Sequence, residues 1–236
     1  VGEHDGHRVA MGVRHVASAD ELRGTVRELS AAAFPLLVQQ RIVGPGTGIF
    51  LLVWDGRLIA SFAHRRLREK PPSGGVSVYA ESIAADPELV AQSTRLLESL
   101  GWPGVALVES KRDARTGIPY LMEVNGRFWG SLQLAIDAGV DFPALLVAAA
   151  SGESPAPVTS YRVGVRSRWW WGDVDHLLAR WRGNARSLAL PADAPSRLRA
   201  TLDFFTFWHP RDRSDVFRLG DARPFVRETI EWLHRR

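Results

Sequence analysis

The stretch Tyr120-Leu121-Met122-Glu123-Val124-Asn125-Gly126-Arg127-Phe128-Trp129-Gly130-Ser131 decides how this chain reads. Ile118 to Val124 is a short apolar run bounded by turn residues, the pattern of a strand. Side chains alternate along a strand, so Leu121, Glu123, Asn125 and Arg127 share one face while the backbone stays extended. Just upstream, Val105 to Lys111 reads as a second strand, joined to the first by the turn Arg112-Asp113-Ala114-Arg115-Thr116-Gly117. Folding about that turn sets Glu109 on the partner strand near positions 121–123.

Two carboxylates facing each other across strands repel. One Glu turned to solvent, one paired with Arg127 or Lys111, or a different register would each remove the conflict. A cation between them would also do so, and Mg²⁺ suits that place. It takes hard oxygen ligands, commonly one or two carboxylates plus substrate phosphates, and an Asn can add a neutral oxygen. Glu109, Glu123 and Asn125 are therefore the candidate metal ligands, for Mg²⁺ or Mn²⁺. The seven His are dispersed and there is no Cys, so no softer-metal cluster competes. Arg127, two residues past Asn125, could hold a phosphoryl oxygen or a substrate carboxylate.

Working outward, Val9 to Val16 reads as a strand, followed by Ser18-Ala19-Asp20-Glu21, a capping box that opens a helix over 19–32. Pro35 starts a strand, Leu36 to Ile42, which ends in the turn Val43-Gly44-Pro45-Gly46. Ile49 to Trp54 and Leu58 to Phe62 flank Asp55-Gly56, the pair a two-residue hairpin turn favours. His64-Arg65-Arg66-Leu67-Arg68-Glu69-Lys70 then leads into the loop Pro71-Pro72-Ser73-Gly74-Gly75. Five cations in seven positions predict an exterior segment, and His64 with Arg65 and Arg66 is a candidate anion clamp. Alternation puts His64 and Arg66 on one face and Arg65 on the other. Lys111, on the face of Glu109, is as suited to an ion pair with it as to a ligand.

Asp86-Pro87 opens a helix that Gly101 closes. Helices near 130–138 and 142–151 follow the two central strands. Ser151 to Pro157 reads as a linker, giving a first region over 1–152 and a C-terminal extension over 153–236. The extension begins with a strand, Tyr161 to Trp169, and a helix capped by Asp173. It passes through a less patterned stretch to a helix over 222–235. Trp169-Trp170-Trp171 reads as packing surface rather than a ligand platform. Asp173, Asp175 and His176 are explained by the cap more simply than by a metal.

Composition narrows the classes. The chain has 236 residues and a net charge of +4, from 30 Lys+Arg against 26 Asp+Glu. The cations, nearly all Arg, are scattered rather than gathered in one run, which argues against nucleic acid. Without Cys there is neither a disulfide framework nor a thiolate zinc site. No apolar run reaches the roughly 18 residues of a membrane span. The polar start lacks a signal peptide and an initiating Met, pointing to a cytoplasmic protein in trimmed or incomplete form.

These residues resemble a known family. Glu123-Val124-Asn125-Gly126-Arg127 is similar to the Glu-x-Asn-x-Arg segment of ATP-grasp enzymes, nearest to the carbamoyl-phosphate-synthase-like branch, and Glu109 sits where that family places its first acidic magnesium ligand. Leu37-Val38-Gln39-Gln40-Arg41-Ile42 resembles the family's adenine-holding hinge strand, although Glu is commoner than Gln at position 40. The resemblance covers roughly 8–150. It implies an α+β fold, ATP-grasp lobes with antiparallel sheets packed by helices, N-terminally incomplete and with a helical C-terminal extension. It further implies ATP with Mg²⁺ or Mn²⁺ as cofactors, nucleotide contacts from Gln39, Gln40, Ile42 and Arg65, metal at Glu109, Glu123 and Asn125, and a catalytic Arg127. The implied reaction is carboxylate–amine (or thiol) ligation through an acyl phosphate. The partners are small-molecule carboxylate and amine substrates, with no nucleic acid or membrane, and a homo-oligomer is allowed. The family usually opens with a Lys-Pro strand and a Gly-rich phosphate loop, and here the first Lys is Lys70. The alternative expectation is thus a non-catalytic nucleotide-binding or assembly module.

Overall fold

The computed structural model describes residues 2–4, 7–9, 14, 16–29, 31–44, 46–72, 75–184, 188, 190, 194–206 and 212–235. They divide into two compact units, Val1–Gly44 and Pro45–Arg236.

The first unit holds an antiparallel pair, β1 (Gly2–His4) and β2 (His7–Val9), then α1 (Ala19–Glu28) and a 3₁₀ turn at Ala31–Ala33. The Ser18 cap forms, its Oγ accepting the Glu21 N–H at 3.1 Å, while the Glu21 carboxylate reaches back one residue beyond the cap to accept the Ala17 N–H at 2.7 Å. Helix α1 stops at Glu28, before the expected residue 32. Of the strand expected over 9–16, residues 10–13 and 15 lie outside the described residues. Leu36–Ile42 is not a strand. Strand propensity needs a neighbouring ladder to express it, and no described segment pairs with 36–43. Leu37 is 82% exposed there.

The second unit is built on β3 (Gly46–Trp54), β4 (Arg57–Lys70), β5 (Val76–Ser82), α2 (Pro87–Ser99), β6 (Gly104–Arg112), β7 (Pro119–Asn125), α3 (Leu132–Ala138), α4 (Phe142–Ala150), β8 (Arg166–Arg168), α5 (Trp170–Arg182), α6 (Arg197–Phe205), β9 (Asp212–Ser214) and α7 (Arg223–His234). One seven-stranded sheet runs β7-β6-β3-β4-β5-β8-β9, antiparallel except for the β8–β9 pair. The Asp55-Gly56 hairpin forms as expected, both residues at positive φ (49° and 68°), as a type I′ turn demands.

Each face of the sheet has its own core. Phe50, Leu52, Phe62 and Leu107 pack with Trp129, Leu134, Val140 and Phe142 beneath α3 and α4. Ile49, Leu51, Ala63, Ala106 and Val108 pack under Leu89 and Leu97 of α2 on the opposite face. Strict alternation along β3 produces this division, and each fully buried Leu or Phe contributes about 1.5–3 kcal/mol.

Residues 153–236, expected as an extension, supply β8 and β9 to this same sheet and share its compact unit. The strand expected from Tyr161 is confined to Arg166–Arg168, because the backbone turns at Gly164, whose φ is 81°, while the Tyr161 hydroxyl bonds the backbone of Ile83 and Ala63. Asp173 is not a helix cap; Trp169 holds that position. Its carboxylate is fully buried, accepting 2.6 Å hydrogen bonds from Arg68 Nε and Nη2 and from Arg168 Nε. The tryptophans do serve packing. Trp171 and Trp232 stack at 4.3 Å, and Trp171 Nε1 donates to Thr229 Oγ1 at 2.9 Å, joining α5 to α7. Among the described residues no single helix is long and apolar enough to cross a membrane.

Candidate metal and nucleotide site

The register of β6 and β7 places Glu109 directly opposite Glu123, and Leu107 opposite Asn125. Directly opposed residues share a face of the sheet, with Cβ atoms about 4.5–5.5 Å apart. Both acids and the amide therefore lie on the α3–α4 face. Asn125 Nδ2 donates to Glu123 Oε1 at 2.8 Å. A one-residue bulge follows at Met122, so Leu121 pairs with Ser110 and leaves the face that unbroken alternation assigned it. The backbone beyond Asn125 is held by a close approach: a Cβ on Gly126 would lie 2.5 Å from the Trp102 ring.

Glu109 also stands opposite Gly48 of β3, and Gly48 opposite His64 of β4. His64, Gly48, Glu109 and Glu123 thus form one row across the sheet. Gly46 and Gly48 put no side chain of their own on that face at the start of β3, before Phe50 and Leu52, and the Leu107 tip lies 2.9 Å from where a Gly48 Cβ would be. Arg66 reaches across the gap, its Nη2 donating to Glu109 Oε1 at 2.5 Å and its Nη1 to Glu69 Oε1 at 2.9 Å. Burial alone would lower the Arg66 guanidinium, but those acidic partners raise it overall.

His64 is buried in the row rather than exterior, contrary to the expectation for the cation-rich run. Its ring stacks on Phe50 at 4.8 Å and its Nε2 shares a 2.7 Å hydrogen bond with the Ser131 hydroxyl at the start of α3. Burial, reinforced by the Arg66 charge, pushes its pKa down to about 3, so the ring is neutral at pH 7.

A bulge at Leu67 divides the rest of the run. Arg66 pairs with Ala80, but the next partners are Arg68 and Tyr79, so Arg68 swings to the opposite face, toward Asp173. Arg65 is on that opposite face too, bound to Glu81, which Arg166 also contacts. Burial alone would raise the Glu81 carboxyl, but hydrogen bonds from Arg166 and Arg65 hold it below its ordinary range. Arg66, rather than Arg65, reaches the acidic pair. Arg127 is exposed beside the strand end, with its guanidinium on the Phe128 carbonyl at 3.0 Å. Gln39 and Gln40 are exposed and Ile42 is buried within the irregular segment of the first unit. Asp175 and His176 are engaged elsewhere, with Lys70 and the Glu69 carbonyl.

Arg66 and the His64–Ser131 pair were not resolvable from sequence, because they depend on which strand follows which across the sheet. The paired glycines Gly46 and Gly48, two residues apart on a strand, were the one available signal.

No cluster of three or more His, Cys, Asp or Glu suited to a metal occurs among the described residues. The donor set is instead two carboxylates with an amide, all oxygen, opposed across one strand pair. That set fits a hard cation that takes its remaining ligands from phosphates and water.

The chain belongs to the ATP-grasp family: residues 33–170, more than half its length, match the family described as ATP-grasp in the biosynthetic pathway with Ter operon. None of the curated proteins matches it. Solved structures similar to it include an L-amino acid ligase from Bacillus licheniformis, 25% identical over 58% of this chain and 36% of that one, with a TM-score of 0.44. The ATPase subunit of phosphoribosylaminoimidazole carboxylase from Aquifex aeolicus is 17% identical over 52% of this chain and 38% of that one, with a TM-score of 0.42. The biotin carboxylase domain of 2-oxoglutarate carboxylase from Hydrogenobacter thermophilus, solved with ADP, its magnesium salt and bicarbonate, is 16% identical over 54% of this chain and 30% of that one, at 0.42. The chain thus spans between 30% and 38% of the length of these three solved chains.

Proposed function

We propose that this chain carries the metal- and nucleotide-handling part of an ATP-dependent carboxylate–amine (or thiol) ligase that works through an acyl phosphate. The observation that carries the proposal is the direct opposition of Glu109 and Glu123, with Asn125 beside them on the same face. Like-charged partners in that register are unfavourable unless a positive group is shared between them.

Glu109, Glu123 and the Asn125 amide oxygen would hold Mg²⁺ or Mn²⁺. When bound there, the cation would supply positive charge to offset the ATP phosphates during phosphoryl transfer. The remaining work belongs to the protein. Arg66 presents a guanidinium at the acidic row, where a phosphoryl oxygen would enter. Arg127 holds the substrate carboxylate or the transferring group through its planar fork. The neutral His64 ring supports Ser131 and hence the start of α3, beneath the row, without adding charge. Positioning and electrostatics supply most of the rate in such transfers. Adenine contacts from Gln39, Gln40 and Ile42 rest on the sequence resemblance. The acid and the amine are small molecules whose identities the row does not specify.

Replacing Glu123 with Ala in the full-length protein should abolish ADP release while the fold is retained. Unchanged ADP release refutes the assignment. Mg-ATP binding without ADP release, under every acid and amine pair offered to the unmodified protein, would identify a non-catalytic nucleotide-binding module instead.

A further inference from the structure

We infer that Arg66 is the resident counter-ion of the acidic pair, holding Glu109 until a divalent cation and a phosphate-bearing ligand arrive together. This rests on reading Glu109 and Glu123 as metal ligands. It adds a residue whose task is to make the two binding events depend on each other.

Three features carry it. Arg66 lies on β4 and Glu109 on β6, two strands away, yet the guanidinium reaches the carboxylate at 2.5 Å because Gly46 and Gly48 set no side chain of their own between them, and nothing lies within 4 Å of where a Gly46 Cβ would be. The second guanidinium nitrogen is held by Glu69 at 2.9 Å and lies 3.4 Å from the Gly75 carbonyl, at the end of the 71–75 loop. Arg66 is 37% exposed at its side chain and Glu109 23%, so the pair is open enough to exchange partners and shielded enough to matter.

A guanidinium and a divalent cation compete for the one negative charge of Glu109, whose Oε1 Arg66 already holds. Metal arriving alone must displace Arg66 and place two positive groups side by side. Metal arriving with a triphosphate brings anionic oxygens, to which the Arg66 fork can transfer while remaining tied to Glu69. The site is then weak for bare metal and strong for the metal–nucleotide pair.

The test is Mn²⁺ binding by the full-length protein, read from the electron paramagnetic resonance of free Mn²⁺, with and without a non-hydrolysable ATP analogue. Arg66→Gln should bind Mn²⁺ alone about three- to tenfold more tightly than the unmodified protein, in keeping with the loss of a charge-assisted, partly screened pair. The gain in Mn²⁺ affinity on adding the analogue should shrink by at least as much. Arg66→Lys, which retains a positive charge, should fall between the two and serves if the Gln variant folds poorly. Glu109→Gln should weaken Mn²⁺ binding in all conditions. If Glu109→Gln weakens binding while Arg66→Gln leaves bare Mn²⁺ affinity unchanged or lower, the counter-ion role is overturned and the metal site stands. If neither the unmodified protein nor Arg66→Gln binds Mn²⁺, both readings fall.

Discussion

Lowering the pH from 7 to 5 should destabilise this protein through His64 by an amount that can be worked from its surroundings. The ring is buried against Phe50, and its pKa falls from 6.5 to about 3 on folding. Because the folded value lies below the unfolded one, the unfolded chain binds the extra proton throughout that interval. Stability is therefore unaffected by this group above pH 6.5, and is lost progressively as the pH drops toward 3. At about 1.4 kcal/mol per pH unit below 6.5, the loss at pH 5 is ~2 kcal/mol. Urea denaturation of the unmodified protein and of His64→Gln, each at both pH values, isolates the effect. The fixed cost of the substitution cancels within each protein, and other titrating groups contribute alike to both. The drop in unfolding free energy should be ~2 kcal/mol larger with His64 present. Equal drops would refute a neutral, buried imidazole and imply that the ring reaches water.

Asp173→Asn should cost about 3–5 kcal/mol and lower the thermal midpoint markedly, because Arg68 and Arg168 would be left facing each other without their shared carboxylate. An unchanged midpoint would show that water already satisfies those guanidinium groups. Gly126→Ala should force the Trp102 ring away from the strand end, costing about 1–3 kcal/mol. It should also weaken Mn²⁺ binding by displacing Asn125, whereas intact Mn²⁺ affinity would separate the close approach from the site.

What the sequence conveyed well was local. The Asp55-Gly56 turn, the Asp86 and Ser18 caps, and the pairing of Val105–Lys111 with Ile118–Val124 all depend on residues close in the chain. The acidic opposition was legible for that reason: one tight turn links its two strands. The placing of β6 beside β3 was not legible, since it pairs residues about 50 to 65 positions apart. Arg66 could not be matched to Glu109 without it, and the Arg68–Asp173 contact spans a still longer separation. Bulges were a second obstacle. Those at Leu67 and Met122 leave no compositional mark, yet each reverses the facing of everything beyond it. Leu36–Ile42 failed in the opposite sense, with strand-like composition but no described ladder to join.

Strand β7 ends the sheet, and nothing among the described residues pairs with its outer side. Every residue from Tyr120 to Val124 is exposed. Terminal strands of this kind open at a fraction of the free energy needed to unfold a whole domain, so Glu123 rides on one of the most readily frayed parts of the molecule. Closing an ion between Glu123 and the well-buried neighbour strand would fasten that margin in place. Amide hydrogen exchange along 119–125 should slow when metal and nucleotide are added together, reporting occupancy without any need to know the acid or the amine.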